Sequence, residues 1–513
     1  MRTPARVDSR DSALCCLPKA LGAVQSSCPR TVLVIALWVV AVAVRLLLIN
    51  QPFIDRWSWR QSDVAAIARN FYENGFRFAY PQIDWAGSAT GYVGTEFPIL
   101  PFLAAVFYKC VGVHEWIGRS ESVIFFAVSL PFFFLLVREI FGSIAALWAT
   151  FFYSFTPLNV FAGRSFMPDV PSLSLALIGS YFFLRWINDA KSTPFFLAAI
   201  TISLSILVKV TSIVIAVPLL LVVWRKWRWN FVKRVDLWLF AGITVLPSVV
   251  WYWHARQIAE RFYPYHFFGE GGIRIENFSW YCGIARQTVT ASLTPVLSVM
   301  ALIGLFVAPR SRFSGLFHWW LAGIILFIIL VGYGNRHPWY QLPLVPIAAA
   351  FAGAACVFIG SKVSFSRVAA VTLSILLAGF FAVLAYLYEG PLYKSSAAQL
   401  RDVGLELNKV TASDALIVAA DTGDPTIFYY AQRKGWHFLE TDAIYDGNPG
   451  NSQQAILDLE QLRRRGATHL VFTTNTFWWL KYYPEFTEHL RQTTALMEAN
   501  RKFRIYKLNL VAE

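Results

Sequence analysis

The stretch Phe97-Pro98-Ile99-Leu100-Pro101-Phe102-Leu103-Ala104-Ala105-Val106-Phe107-Tyr108-Lys109-Cys110-Val111-Gly112-Val113 decides how the chain is threaded. It is apolar but short for a membrane span, holds Pro98 and Pro101, and carries Lys109 near its end. Other apolar segments fall near 31–50, 118–137, 142–162, 170–187, 194–208, 210–224, 236–253, 288–308, 316–333, 339–359 and 367–387. If 97–113 crosses the bilayer, the loop Arg225-Lys226-Trp227-Arg228-Trp229-Asn230-Phe231-Val232-Lys233-Arg234 faces outward, against the positive-inside rule. If it lies in the outer interface, the basic N-terminus, Arg138, the Arg185–Lys191 turn, Arg225–Arg234, Arg310, Arg312, Lys362 and Arg367 all face the cytoplasm. The second threading satisfies every short basic loop. It predicts an α-helical multispan protein with about eleven transmembrane helices plus interfacial helices.

Composition agrees. Of 513 residues, 56% are hydrophobic and 15% charged, against roughly 25% charged in soluble domains. The net charge of +14 belongs to cytoplasmic loops and headgroup contacts, and no basic run is interleaved as a nucleic-acid groove needs. The six cysteines, Cys15, Cys16, Cys28, Cys110, Cys282 and Cys356, show no metal-site spacing. The chain divides into a basic cytoplasmic segment 1–30, a transmembrane domain 31–388 containing the outer loop 51–117, and an α/β domain 389–513 on the extracytoplasmic side. In that last region apolar strands at 415–421, 468–474 and 503–508 alternate with helical patterns at 396–408, 451–465 and 484–500. The Asp421-Thr422-Gly423-Asp424-Pro425 loop reads as a strand-to-helix turn, because it lacks a phosphate-loop glycine pattern.

This threading puts the polar stations on one face of the membrane. The long loop Pro52–Pro98 carries Asp55, Arg60, Gln61, Asp63, Asp84 and Glu96. Long loops in multispan proteins carry function, since short turns suffice to reverse a chain. Within it, Asp63–Gly75 has the pattern of an amphipathic helix, with Asp63 either its cap or a general base at the mouth of a cavity. Asp169, after Arg164 and Pro168, fits an ordinary helix N-terminus and equally a second carboxylate that orients an acceptor or binds a cation. In Asn335-Arg336-His337-Pro338-Trp339-Tyr340, Arg336 and His337 can grip a lipid phosphate or simply snorkel beside an aromatic belt. Trp59, Trp85 and Tyr92 offer faces for a sugar ring.

The order of these elements resembles the GT-C superfamily of integral membrane glycosyltransferases. The order is a basic start, one span, an acidic first outer loop, Glu96-Phe97-Pro98, Arg164…Met167-Pro168-Asp169, Arg336-His337-Pro338-Trp339-Tyr340 and an outer C-terminal domain. Within it the chain is similar to the bacterial branch related to protein O-mannosyltransferases and the lipid A aminoarabinose transferase, over residues 31–390. The resemblance implies a polyprenyl-phosphate-linked sugar donor, inversion at the anomeric carbon, and a glycan, lipid or protein acceptor at the outer face of the inner (cytoplasmic) membrane. It implies a first-loop Asp as base, Asp63 ahead of Asp55, with Asp169 matching the second-loop acid. Arg60, Gln61, Asp84, Glu96, Arg164, Arg336, His337 and Tyr340 are the implied substrate-binding set. Similar enzymes often show Asp-Glu where this chain has Arg60-Gln61. They show a Glu-Lys-Pro-Pro-like stretch where it has Glu96-Phe97-Pro98-Ile99, which leaves the lipid phosphate to Arg336, His337 or another cation. No cofactor is obligatory, though the outer acids offer a place for a divalent cation.

A transporter or flippase is the rival from another class; such proteins place ionisable groups near the bilayer midplane, whereas here the acids cluster in outer loops. A non-catalytic envelope assembly subunit is the other rival. An accessibility tag inserted after Arg234 should be reached only from the cytoplasm; labelling from outside would reject the threading.

Overall fold

A computed structural model describes residues 28–267, 272–362, 366–441 and 444–508. The expected cytoplasmic segment 1–30, with Cys15 and Cys16, lies outside them apart from its last three residues. Helices occupy every apolar segment named above. They are α1 (Cys28–Leu46), α2 (Ser58–Glu73), α3 (Ile99–Val111), α4 (Glu115–Phe141), α5 (Ser143–Phe155), α6 (Pro157–Ala162), α7 (Asp169–Asp189) and α8 (Ser192–Val208). These are followed by α9 (Ala216–Trp227), α10 (Val235–Arg261), α11 (Phe278–Gln287), α12 (Pro295–Val307), α13 (Gly315–Leu330), α14 (Leu344–Lys362) and α15 (Arg367–Glu389). Among the described residues six helices are long and apolar enough to cross a bilayer, and seven if the pair around Thr294, bent by 105°, counts as one. Helix α3 has 13 residues. At 1.5 Å per residue it reaches about 20 Å, too little for a hydrocarbon core of about 30 Å.

The breaks have local causes. Pro157 takes the first turn of α6 and ends α5 at Thr156. Thr294, at φ +82°, turns the chain and caps α12 by accepting from the Leu297 N–H. Helices pack backbone to backbone where glycine permits: a Cβ on Gly304 of α12 would stand 1.8 Å from the Phe351 carbonyl oxygen of α14.

Beyond α15 come α16 (Ala398–Val410), β1 (Leu416–Ala420), α17 (Thr426–Ala431), β2 (Lys434–His437), the short pair β3 (Glu440–Thr441) and β4 (Ile444–Tyr445), α18 (Ser452–Arg464), β5 (His469–Thr473), α19 (Trp479–Tyr482), α20 (Pro484–Thr493), β6 (Thr494–Ala499) and β7 (Phe503–Leu508). The sheet order is β2-β1-β5-β7-β6. Strands β2, β1 and β5 run parallel; β7 and β6 pair antiparallel. The helix expected over 484–500 stops at Thr493, and residues 494–499 form β6 instead. Their helix-favouring Ala, Leu, Met and Glu are overridden by the ladder to β7.

This sheet domain is built onto the first outer loop. Ile67 and Phe71 of α2, Ile83 and Trp85 share one apolar cluster with Leu400, Val403, Ile417 and Ile427. The loop also hydrogen-bonds to edge strand β2, Gly435 N–H to Asp84 O at 3.0 Å and Gly87 N–H to Gly435 O at 2.7 Å, so the edge is covered. Gly87, at φ +58°, leaves room for the Trp436 ring, which a Cβ would meet at 1.8 Å.

Asp55 ties the layers together. It is fully buried. Oδ1 accepts from Gln61 Nε2 at 2.7 Å and Oδ2 from Arg119 Nη2 at 3.0 Å, with Arg164 Nη2 at 3.4 Å. Its backbone oxygen accepts from Ser396 Oγ. The start of α2, helix α4, the turn before α7 and the linker into the sheet domain thus meet on one residue. Asp55→Asn strips two buried guanidinium groups of their shared counter-charge, a loss of about 3–5 kcal/mol. The variant should melt at lower temperature in detergent; an unchanged melting temperature would show the carboxylate to be dispensable for the fold.

Candidate active site

Helix α2 begins at Ser58, five residues before the position the sequence pattern predicts. Asp63 therefore sits in its second turn and caps nothing, which removes the capping explanation of this acid. Its side chain is 3% exposed. Oδ1 accepts from Trp85 Nε1 at 3.0 Å. Burial raises the carboxyl; the indole bond and the charges of Arg60 and His437 counter that only in part, leaving it at about 7.

Arg60, one turn earlier, makes a two-oxygen contact with Glu96, at 2.7 and 2.8 Å. Glu96 is held in place by its own strand of chain: Trp251 Nε1 donates to Thr95 O, and Phe97 N–H to Leu207 O. Burial alone would raise its carboxyl, but Arg60 and Lys209 outweigh burial and hold it below the usual range. A narrow gap of about 20 Å³, lined by Val64, Pro98, Pro101 and Pro168, lies beside this pair.

Lys209, between α8 and the next helical turn, is the cation the sequence reading left unnamed. Its Nζ lies 2.6 Å from Asp169 Oδ1 and 4.8 Å above the Tyr340 ring. Asp169 Oδ2 has no hydrogen-bond partner among the described residues. Lys209, Asp169 and Tyr340 line a second gap of about 20 Å³ with Trp339 and Ser212. The lysine is buried, and Asp169, Tyr340 and Glu96 overcome that burial to hold its ammonium charged.

The remaining candidates divide. His337 stacks on Trp339, ring centroids 4.5 Å apart, beside Trp59 at 5.7 Å. Burial, with Arg336, Lys209 and Arg60 near, lowers it to about 4, so at neutral pH it offers a hydrogen bond and no charge. Arg336 is exposed and lies over the Tyr333 ring at 3.9 Å. Gln61 joins Asp55 to the Phe166 N–H. Arg164 is occupied by Leu48 O, Gln51 and Asp55. Asp84 is held by Arg69 at 2.5 Å and Asn70 at 2.9 Å, joining the loop to α2. These contacts are tethers between elements.

The sheet domain supplies groups that the sequence reading did not place here. Asp424 Oδ2 accepts from Ser58 Oγ at 2.8 Å, and Thr426 meets Ser62 at 3.0 Å. His437 of β2 holds both Asp421 oxygens at 2.9 Å through Nδ1, and its ring lies 5.5 Å from Trp85. His266 flanks the other side of Trp85 at 5.8 Å. The only signal for Asp421 and Asp424 was their loop after a strand, which is a strand-to-helix turn as read, but one that meets α2.

Among the described residues no three His, Cys, Asp or Glu side chains converge as a metal-holding set. Glu96 and Asp169 are each engaged by a cation, and Asp63 by an indole. What the arrangement brings together is one buried carboxyl, Asp63, near two ion pairs, Arg60–Glu96 and Lys209–Asp169.

The family model described as dolichyl-phosphate-mannose-protein mannosyltransferase matches residues 95–253. No curated protein matches the chain in sequence. Among solved structures, ArnT from Cupriavidus metallidurans bound to undecaprenyl phosphate superposes with a TM-score of 0.65 at 14% identity, covering 93% of this chain and 98% of that one. The apo oligosaccharyltransferase of Archaeoglobus fulgidus gives 0.61 at 13% identity, covering 92% and 73%. The same archaeal enzyme with an inhibitory peptide and dolichol-phosphate gives 0.58 at 12% identity, covering 91% and 72%. The chain therefore shares the fold of these membrane enzymes, and residues 95–253 are similar to the mannosyltransferase family model.

Proposed function

We propose that this protein transfers a sugar from a polyprenyl-phosphate donor to an acceptor hydroxyl at the outer face of the cytoplasmic membrane, inverting the anomeric centre. The observation that carries this reading is the grouping of the buried Asp63 with Arg60, whose charge also reaches Asp169, the partner of Lys209. The reaction forms a bond between the acceptor oxygen and the anomeric carbon and breaks the bond from that carbon to the phosphate oxygen. Asp63 takes the hydroxyl proton. Lys209 and Arg60 meet the charge that builds on the departing phosphate, and neutral His337 and Tyr340 add hydrogen bonds. The phosphate leaves without prior activation, so no step runs through a metal.

An apolar cleft of about 300 Å³, lined by Ile202, Ile206, Ile213, Leu219 and Phe240, starts in the helical turn that follows Lys209. It offers the lipid chain a place beside a phosphate held at that lysine. ArnT and the archaeal enzyme are solved with undecaprenyl phosphate and dolichol-phosphate, and that shared ligand class supports the donor assignment. The buried charges sit at the helix ends and in the outer loop, which favours chemistry over transport.

Purified protein incubated with a panel of polyprenyl-phosphate sugars should release free polyprenyl phosphate with one of them. Asp63→Asn should insert normally and lose about 10²-fold or more of that rate. Full transfer by both Asp63→Asn and Asp55→Asn would reject a first-loop base. A base must be ionised to work. The wild-type rate should therefore rise with pH to a plateau above about 7 and fall about tenfold per unit below it. A flat profile from pH 5 to 8 would contradict the assignment.

A further inference from the structure

The sheet domain reaches Asp63 through a short chain of contacts. Asp421 Oδ1 and Oδ2 each lie 2.9 Å from His437 Nδ1. The His437 ring packs on the Trp85 indole at 5.5 Å, tilted by 43°. Trp85 Nε1 donates to Asp63 Oδ1 at 3.0 Å. Asp421, His437, Trp85 and Asp63 are all buried. A buried imidazole with a carboxylate on one nitrogen has its tautomer and orientation set by that partner.

We propose that Asp421 and His437 are positioning residues for transfer: they hold the Trp85 indole on Asp63 and supply the positive charge that keeps the Asp63 carboxylate ionised. This rests on the reading of Asp63 as the base. It gives the sheet domain a part in the reaction centre itself. Burial alone would strip the proton from His437, but Asp421, Asp63 and Asp424 together raise it above its ordinary range. The groups facing the imidazole are Asp421 and Asp424 from the loop after β1, Asp63 from α2 and Tyr445 from β4, with His266 across Trp85. His266 is lowered to about 4 by burial and the nearby Arg60, so it is neutral across the working range and His437 is the charged member.

The sign follows. Removing the His437 charge leaves Asp63 with less to oppose its burial, so its ionisation moves to higher pH. Asp421→Asn keeps the ring and its packing but removes both the partner that favours its protonation and that partner's own negative charge, which act on Asp63 in opposite directions. The test is the pH profile of kcat/KM for release of polyprenyl phosphate by wild type, His437→Gln, Asp421→Asn and the double variant, with Asp63→Asn alongside. His437→Gln should move the acidic limb up by about half to one pH unit, a roughly three- to tenfold loss at pH 6 that narrows on the alkaline plateau. Asp421→Asn and the double variant should each move it less than His437→Gln does. If His437→Gln fails to fold, His437→Asn reads the same quantity. Limbs that stay in place, with rates lowered equally at every pH or only the melting temperature changed, would overturn the proposal and leave Asp63 as base. Full activity in Asp63→Asn would instead remove the base reading on which it rests.

Discussion

Asp55 accepts hydrogen bonds from Gln61, Arg119 and Arg164 inside a fully buried pocket, and the position of every site element depends on that contact. Two guanidinium groups on one carboxylate leave a net positive charge, spread onto the carbonyls of Pro52, Leu48 and Arg164. The cluster leaves little freedom to the elements that carry its donors, although Arg119 Nε and Arg164 Nε have no hydrogen-bond partner among the described residues. Helix α2 therefore enters at one angle, and the turn before α7 presents Asp169 toward Lys209. The linker at Ser396 and Ala397 brings the sheet domain down onto α2.

Within that frame the buried acids differ in how their charge is met. Asp55 and Asp84 are saturated by arginines, and Glu96 is held by Arg60. Asp169 has an ammonium group beside it. Asp63 has an indole N–H and two charges that are not in contact with it, which is too little to offset burial. That shortfall lets burial raise the Asp63 carboxyl to about 7. The same comparison explains why an acid-rich loop holds one candidate base and several tethers.

Much of this was readable in the sequence where the signal was local. The apolar segments, a helix at α2, Glu96 ahead of α3, Asp169 at the start of α7, and strands β1, β5 and β7 all follow from pattern and charge. The start of α2 was misplaced because Ser58-Trp59-Arg60-Gln61 carries no strong helix signal and Asp63 looks like a cap. Residues 494–499 were taken for helix because their propensity is helical and their strand state comes from β7. Asp84 could not be told from a reactive acid, since its partner Arg69 is identified only by folding. Lys209, sitting between apolar segments, shows its role only when α7 brings Asp169 to it. Asp421 and His437 lie more than three hundred residues from Asp63, a juxtaposition that no spacing rule encodes.

The central claim is that Asp63 titrates near neutrality in the folded protein. Infrared difference spectroscopy of the wild type against Asp63→Asn isolates this carboxyl group. The account predicts a protonated-carboxyl band that disappears with a midpoint at about pH 7. A group already fully ionised at pH 5 would contradict it.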